Sequence, residues 1–335
     1  MGEHDAPALS GTGVVRIPMI ETTISRRTAA GAGLGVSVLG FALEPEIVSS
    51  PESARGVEAM LRRARSAGVT LFSLPEGAGA DRVERLLGRA FPEPDPDLVV
   101  LASRSSAGLA AGSRGRIDPP DADAAHALAR SLAETDQRVA PQRVRLVEWI
   151  PSEGDDEARR LSPGGSGRGG PGAPEIVRRI EPGAGPRAAP TDARPGELLS
   201  GSLSLVDRRL LGGLERRAAL GPFGFFARDP FGGGRLDGTR LSEAAGPRRP
   251  DVGPVRVREL EREFAPVLSL GFLTEGRRRT LAQAALRFVL HWPWVVSAIV
   301  PLPSPERLSE VLGVETVPEL TEAELQRLDA LALDA

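Results

Sequence analysis

The sequence predicts an α/β protein that folds as a single (β/α)8 TIM barrel. Short apolar runs alternate with amphipathic helical patterns along the chain, which is typical of parallel strands joined by crossover helices. The length of 335 residues is within the range of one such barrel. A low-complexity, Gly- and Pro-rich segment interrupts the middle of the chain without ending the alternation. Residues 22–335 are therefore predicted to form one barrel, after an N-terminal tail of residues 1–21.

The elements follow in order from these patterns. The helix at residues 51–66 illustrates the helical pattern, because Ala54, Val57, Leu61 and Ala64 recur on one face. Strands are short apolar runs, and are predicted at residues 36–41, 69–74, 98–102, 144–150, 223–227 and 295–300. Further helices are predicted at residues 80–90, 121–134, 210–220 and 281–291, and two more from Pro305 and Thr321. Residues 152–174 are rich in Gly, Pro and Ser and are predicted to form a mobile loop.

The composition excludes several kinds of chemistry. The chain has no Cys and no Tyr, and its 42 basic residues are all Arg because the sequence contains no Lys. Disulfides, thiolate nucleophiles, Schiff bases and a P-loop lysine are therefore excluded. The three histidines, His4, His126 and His291, do not have the spacing of metal ligands. The formal net charge of −3 argues against a nucleic-acid or membrane surface.

A cytoplasmic location is the preferred interpretation of the N-terminal region. No uninterrupted apolar stretch reaches 18 residues, so a membrane span is not expected. The alternative is a twin-arginine export signal, because Arg26 and Arg27 precede a mildly apolar run. That run is rich in Gly and Ala and ends without a small-residue cleavage site, which favours a barrel strand instead.

Several segments taken together resemble the aldo-keto reductase family. The residues that carry the resemblance lie at Gly33–Leu43, Ala67–Phe91, Leu203–Leu211, Phe223–Gly238 and Leu281–Leu312. The resemblance implies a barrel that binds a nicotinamide cofactor at the carboxyl ends of its strands. In that family a Tyr phenol donates a proton to a carbonyl, a Lys paired with an Asp lowers the phenol's pKa, and a His polarises the carbonyl.

The resemblance also implies that all four catalytic side chains are replaced. The positions of the family's Asp and Tyr hold Ser73 and Ala78, and those of its Lys and His hold Arg104 and Trp149. None of these four is a proton donor tuned for catalysis. Glu76 is the remaining candidate acid, or else an ordinary glutamate that accepts a backbone hydrogen bond.

Alternation along residues 144–150 predicts that Arg145, Val147 and Trp149 share one face and that Trp149 points into the site. At the nicotinamide position the resemblance implies that Leu203 replaces a stacking Tyr. Ser200 replaces the Gln near it. Burial of the Trp149 indole beside Ser73 or Ala78 is the expected arrangement.

The outer part of the cofactor site resembles the family more closely. Arg307 is expected to bind a 2′-phosphate and Ser304 to hydrogen-bond it, so the implied ligand is NADP(H). Glu310 is expected to accept from the adenine amine. The implied cofactor-binding residues are Phe231, Gly232, Gly234, Leu236, Ser304, Arg307 and Glu310.

Three functions stay open from the sequence. The preferred hypothesis is a pseudoenzyme with residual NADP(H) binding and a regulatory or assembly role. The alternative is an active NAD(P)H-dependent oxidoreductase that reduces carbonyl compounds with a proton from water or Glu76. The third is an interaction protein with an empty pocket, which associates with an unidentified protein or with itself.

Overall fold

Eight parallel strands close into a barrel, which confirms the predicted fold class. The computed structural model describes residues 23–29, 33–112, 120–150, 174–180, 195–240 and 254–331. The predicted tail and residues 152–173 of the predicted loop lie outside the described residues. Among the described residues, no helix is long and apolar enough to cross a membrane.

The strands divide into a two-stranded ribbon and the barrel. An antiparallel ribbon is formed by β1 (Arg26–Ala29) and β2 (Leu34–Ser37). The barrel strands are β3 (Leu39–Ala42), β4 (Leu71–Leu74), β5 (Val99–Ser105), β6 (Val144–Ile150), β7 (Glu175–Ile180), β8 (Leu198–Ser202), β9 (Gly224–Arg228) and β10 (Val295–Pro301). They are hydrogen-bonded in chain order, and β10 closes the barrel against β3.

The helices surround the barrel. They are α1 (Pro51–Ser66), α2 (Ala80–Ala90), α3 (Ser106–Gly112), α4 (Pro120–Val139), α5 (Leu211–Leu220), α6 (Pro254–Leu268), α7 (Leu281–Leu290), α8 (Pro305–Leu312) and α9 (Glu322–Asp329). Short 3₁₀ segments lie at Pro45–Ile47, Gly271–Arg277 and Gly313–Thr316. The apolar face predicted for α1 is buried, and the Ser50 hydroxyl caps this helix by accepting from the N–H of Ser53.

The sequence patterns missed five of the described strands and helices and merged two strands into one. The strands β1, β7 and β8 and the helices α3 and α6 were not predicted. The predicted strand at residues 36–41 is divided at Val38, because residues before it pair with the ribbon and residues after it enter the barrel. The other predicted strands and helices lie within a few residues of the observed ones.

Apolar side chains form two clusters on the two sides of the barrel wall. The inner cluster lies inside the barrel and comprises Ala29, Val36, Ala42, Leu71, Val99, Leu101, Leu146, Val177, Leu198, Phe226, Val296 and Ile299. The larger outer cluster lies between the strands and the helices. Both faces of the barrel strands are therefore buried, as in other parallel sheets.

The ribbon is fastened to the barrel by Arg27. Its guanidinium donates hydrogen bonds to the carbonyls of Leu290 at 2.8 Å, Trp292 at 2.9 Å and Val295 at 2.6 Å. Burial lowers the pKa of Arg27, and the carbonyls at the end of α7 offset part of the cost of this burial. Arg26, the other member of the arginine pair, forms an exposed ion pair with Asp97.

We expect the Arg27→Ala substitution to lower the free energy of unfolding by about 1.5–3 kcal/mol, since three charged hydrogen bonds are lost. Arg26→Ala is the matched control and is expected to cost about 0–1 kcal/mol, because its ion pair is exposed. Urea unfolding of the two variants makes the comparison. Equal costs would contradict a structural role specific to Arg27.

Candidate functional site

A buried carboxylate lies at the centre of the barrel near the carboxyl ends of the strands. Glu148 of β6 accepts hydrogen bonds from the hydroxyls of Ser103 at 2.9 Å and Ser200 at 2.6 Å. It also accepts from Arg179 at 2.9 Å and from two nitrogens of Arg228 at 3.0 and 2.6 Å. These partners come from β5, β7, β8 and β9, so the network joins five strands across the barrel.

The charge of Glu148 is set by opposing effects. Burial by itself raises the pKa of the carboxyl, but the guanidinium groups of Arg228 and Arg179 and the two serine hydroxyls outweigh it, so that the pKa of Glu148 is lowered. Burial lowers the pKa of Arg228, against the attraction of Glu148. An ionised carboxylate between two guanidinium groups accepts hydrogen bonds and has no proton to donate.

The predicted orientation of Trp149 is wrong. Glu148 points into the barrel, and successive residues of a strand point to opposite sides, so the ring of Trp149 points outward. The side chain is 0% exposed and belongs to the outer cluster, and its indole N–H has no hydrogen-bond partner among the described residues. The predicted register is therefore off by one residue.

The side chain of Arg104 also points outward, toward the helices, and not into the predicted site. Its guanidinium donates to the hydroxyls of Ser131 at 2.8 Å and Thr135 at 2.6 Å, both on α4. It lies 3.7 Å from the buried carboxylate of Glu84 on α2. The neighbouring residue, Ser103, is the one whose side chain faces the barrel interior.

The remaining candidates near β4 have different surroundings. Ser73 is buried, and its hydroxyl accepts a hydrogen bond from Arg228 at 2.9 Å. Ala78 is exposed in the turn after the strand. The Glu76 carboxylate accepts from the backbone N–H of Ser105 at 2.9 Å and from its hydroxyl at 2.7 Å. Glu76 therefore holds the end of β5 in place, and the structure does not bring Ser73 and Ala78 together with Trp149.

The glycine-rich loop after β9 has a constrained backbone. Asp229, Gly232, Gly233 and Gly234 have φ angles of 49°, 59°, 69° and 78°, a region that favours glycine. The Asp229 carboxylate accepts from the N–H of Gly233 at 2.7 and 2.8 Å. A Cβ at position 232 would lie 2.4 Å from a methyl group of Val206, so this turn requires glycine there. Although Asp229 is an exposed residue, its carboxylate is partly shielded from solvent, and this desolvation raises its pKa against the opposing effect of the Gly233 N–H.

The predicted cofactor residues divide into polar side chains near the surface and buried apolar side chains. Arg307 lies 3.2 Å from the carboxylate of Asp237 and donates to Glu310 at 3.3 Å. Ser304 is exposed at the start of α8. The apolar members, Phe231 and Leu236, are buried, as is Leu203 at the predicted nicotinamide position.

A cavity of about 300 Å³ opens at the carboxyl ends of the strands. It is lined by Ala42, Glu44, Arg179, Ile180, Gly201, Ser202, Arg228, Asp229, Ile299 and Pro301. We call this cavity the barrel mouth. Among the described residues, no group of three or more His, Asp or Glu side chains is arranged to hold a metal ion.

Comparison with known proteins relates the last part of the chain to one family. Residues 218–333, about a third of the chain, match the model described as the Aldo/keto reductase family. The match begins in α5 and includes β9, β10 and α8, the part of the chain that holds the glycine-rich loop and Arg307. A comparison with curated proteins gave no match.

Solved aldo-keto reductases share the fold at low sequence identity. The thermostable aldo-keto reductase Tm1743, in complex with the inhibitor epalrestat, is similar with a TM-score of 0.63 and 19% identity, covering 91% of this chain and 98% of that chain. The holo form of aldo-keto reductase AKR11C1 from Bacillus halodurans gives 0.62 and 16%, with 93% and 97% covered. At these identities the similarity shows the fold alone.

The sequence patterns did not identify four residues of the barrel interior: Ser103, Glu148, Arg179 and Arg228. One signal was available for Glu148, because a lone carboxylate in an otherwise apolar strand requires a buried partner. Arg179 and Arg228 had no comparable signal. Their strands bring them to Glu148 only when the barrel closes.

Proposed function

We propose that this protein belongs to the aldo-keto reductase family and is a pseudoenzyme with a binding or regulatory role. The observation that carries the proposal is the ion-paired Glu148, held by Arg179, Arg228 and two serine hydroxyls where a carbonyl substrate would need a proton donor. The guanidinium groups cannot donate protons near neutral pH. The serine hydroxyls already donate to Glu148.

The corrected register supports the loss of all four family side chains. With this register, the residue at the position of the family's Lys is Ser103 instead of Arg104, and the residue at the position of its His is Glu148 instead of Trp149. Ser73 and Ala78 keep the positions of the family's Asp and Tyr. Under this proposal no phenol, ammonium or imidazole faces the barrel mouth.

The residues of the chain fit NADP(H) only at the adenosine end of the cofactor. Arg307 and Ser304 at the start of α8 would hold the 2′-phosphate. In the structure Arg307 is paired with the carboxylate of Asp237 instead. The buried Leu203 and Phe231 do not offer a surface for the nicotinamide ring. When bound, the cofactor supplies hydride. In this protein Arg307 and Ser304 would position only the phosphate on the adenosine end of the cofactor.

The test of the proposed function is NADPH oxidation with quinones, aldehydes and ketones. Loss of a general acid alone costs about 10²–10⁴ in rate, so we expect no turnover above the rate without protein. Turnover of about 1 s⁻¹ or more would overturn the proposal in favour of the active oxidoreductase. A Glu76→Gln variant would then test whether Glu76 is the acid.

A binding measurement tests the cofactor part of the proposal. We expect NADPH to bind more tightly than NADH, and Arg307→Ala to abolish the difference at a cost of about 1.5–3 kcal/mol. The matched control is Arg63→Ala, because Arg63 donates to Ser309 on the same helix α8 and has no assigned phosphate role. Equal affinities that Arg307→Ala leaves unchanged would exclude the phosphate role, and absence of binding favours the interaction protein.

The proposal includes a cytoplasmic location. Arg26 and Arg27 are the residues that prompted the export alternative, and both fasten the ribbon to the rest of the fold, Arg26 through Asp97 and Arg27 through the carbonyl of Trp292. An export signal would remove or unfold this ribbon. Cell fractionation of the full chain with a C-terminal tag tests the location.

A further inference from the structure

The floor of the barrel mouth carries more positive charge than its central carboxylate balances. Arg179 and Arg228 both reach the cavity, and both are paired with the single carboxylate of Glu148. Arg179 retains a buried Nε–H that has no hydrogen-bond partner among the described residues. A buried donor without a partner costs free energy unless a ligand or water satisfies it. The floor is therefore suited to an anionic group.

The rim of the barrel mouth carries the opposite charge. Glu44 follows β3 and Asp229 follows β9, the two strands on either side of β10. Both residues line the cavity, and both are exposed. Arg179 and Arg228 lie within β7 and β9, whereas Glu44 and Asp229 follow the ends of β3 and β9, so the two carboxylates lie nearer the opening of the cavity than the two arginines. A simple anion would therefore meet repulsion from the two rim carboxylates.

Aliphatic groups also line the cavity. Ala42 and Ile299, which both belong to the inner cluster, contribute to this apolar wall. A volume of about 300 Å³ is at the lower end of the range for small-molecule sites. The cavity therefore combines a cationic floor, a short aliphatic wall and an anionic rim.

We propose that the barrel mouth binds a small aliphatic amino carboxylate, with its carboxylate at Arg179 and Arg228 and its ammonium at Glu44 and Asp229. This inference rests on the proposed function, because it takes the same cavity to be a binding site, and it adds the chemical class of the ligand. A zwitterion satisfies both charged regions at once, whereas a carboxylate or an ammonium alone meets repulsion from one of them.

Calorimetric titration of the full chain, without dinucleotide or carbonyl substrate, tests the proposal. The probes are glycine, 4-aminobutanoate and 6-aminohexanoate, which differ in the distance between their charges. Butanoate and butylammonium are the single-charge controls. We expect at least one amino carboxylate to bind at least about tenfold more tightly than both controls, which corresponds to one favourable charged contact. No binding by any of the three, or equal binding by butanoate, would overturn the proposal.

Two variants separate the roles of floor and rim. Arg179→Gln is expected to weaken amino carboxylate binding by about tenfold to a hundredfold, as expected for a lost charged hydrogen bond. Because Arg179 also pairs with Glu148, this variant is first checked for folding by circular dichroism. Glu44→Gln alters only an exposed rim side chain, and we expect it to reduce the preference over butanoate.

Glu46→Gln is the control for the rim, because Glu46 is exposed on the same segment and does not line the cavity. A preference that survives Glu44→Gln unchanged would overturn the assignment of the rim. Carbonyl turnover with NADPH would overturn the proposed function and leave these binding results intact, so the two failures are distinguishable.

Discussion

Replacing Glu148 by alanine is expected to lower the free energy of unfolding by about 3–5 kcal/mol, the cost of removing one partner from a buried ion pair. The substitution leaves Arg179 and Arg228 inside the barrel without their common carboxylate, and it leaves the hydroxyls of Ser103 and Ser200 without an acceptor. Urea unfolding followed by circular dichroism measures the change.

Two variants serve as comparisons for Glu148→Ala. Glu148→Gln keeps the shape and one acceptor oxygen but loses the charge, and is expected to cost less than the alanine variant. Glu134→Gln removes an exposed carboxylate that pairs with Arg138 and is expected to cost no more than about 0.5 kcal/mol. A cost below about 1 kcal/mol for Glu148→Ala would show that the two arginines do not depend on this carboxylate.

The lowered pKa of Glu148 also predicts a pH dependence of stability. A carboxyl whose pKa is lower in the folded state than in the unfolded state stabilises the fold fully above the unfolded value, about 4.3 for Glu. This contribution is lost as the pH falls through the lower folded-state pKa. The difference in stability between the wild type and Glu148→Gln should therefore be constant from about pH 6 to 8 and shrink below about pH 4. A difference that grows on acidification would contradict the lowered pKa.

The Trp149→Ala substitution is also expected to lower the free energy of unfolding by about 3–5 kcal/mol. Trp149 is fully buried in the outer cluster, so truncation leaves a large cavity between β6 and the helices. Thermal and urea unfolding both measure the effect. Trp149→Phe keeps most of the buried apolar surface and removes the unpartnered indole N–H, so we expect a much smaller loss.

The same pair of variants tests the side of the wall that Trp149 faces. Because the ring points away from the barrel mouth, Trp149→Phe should leave the binding of 4-aminobutanoate and NADPH unchanged. Altered ligand binding without a loss of stability would instead support the sequence-predicted orientation, with the ring in the site.

Local signals predicted much of the fold. The helix α1 has a capping serine at position 50 and a regular apolar face, and both features are visible in consecutive residues. The strands β7 and β8 lack such signals: β7 carries Arg178 and Arg179, and β8 carries Ser200 and Gly201. The two adjacent arginines interrupt the apolar run of β7, and the residues of β8 favour a strand only weakly, so both strands depend on their neighbours in the closed barrel.

The candidate site was predicted less completely than the fold. Its place at the carboxyl ends of the strands follows from the fold class, and Ser73 is indeed buried there. The directions of Arg104 and Trp149 were wrong because the alternation of one strand indicates which residues share a face, and leaves open which face is inside.

The sequence by itself determined the fold class, and it determined which reactive side chains the protein does not have, because composition needs no coordinates. Only the tertiary structure decided that Glu148 faces the barrel interior and that Arg179 and Arg228 are its partners. Both faces of a barrel strand are buried, so hydrophobicity does not distinguish inside from outside. The distinction arises when the strands close and residues as far apart in sequence as Ser73 and Arg228, 155 positions, come within hydrogen-bonding distance.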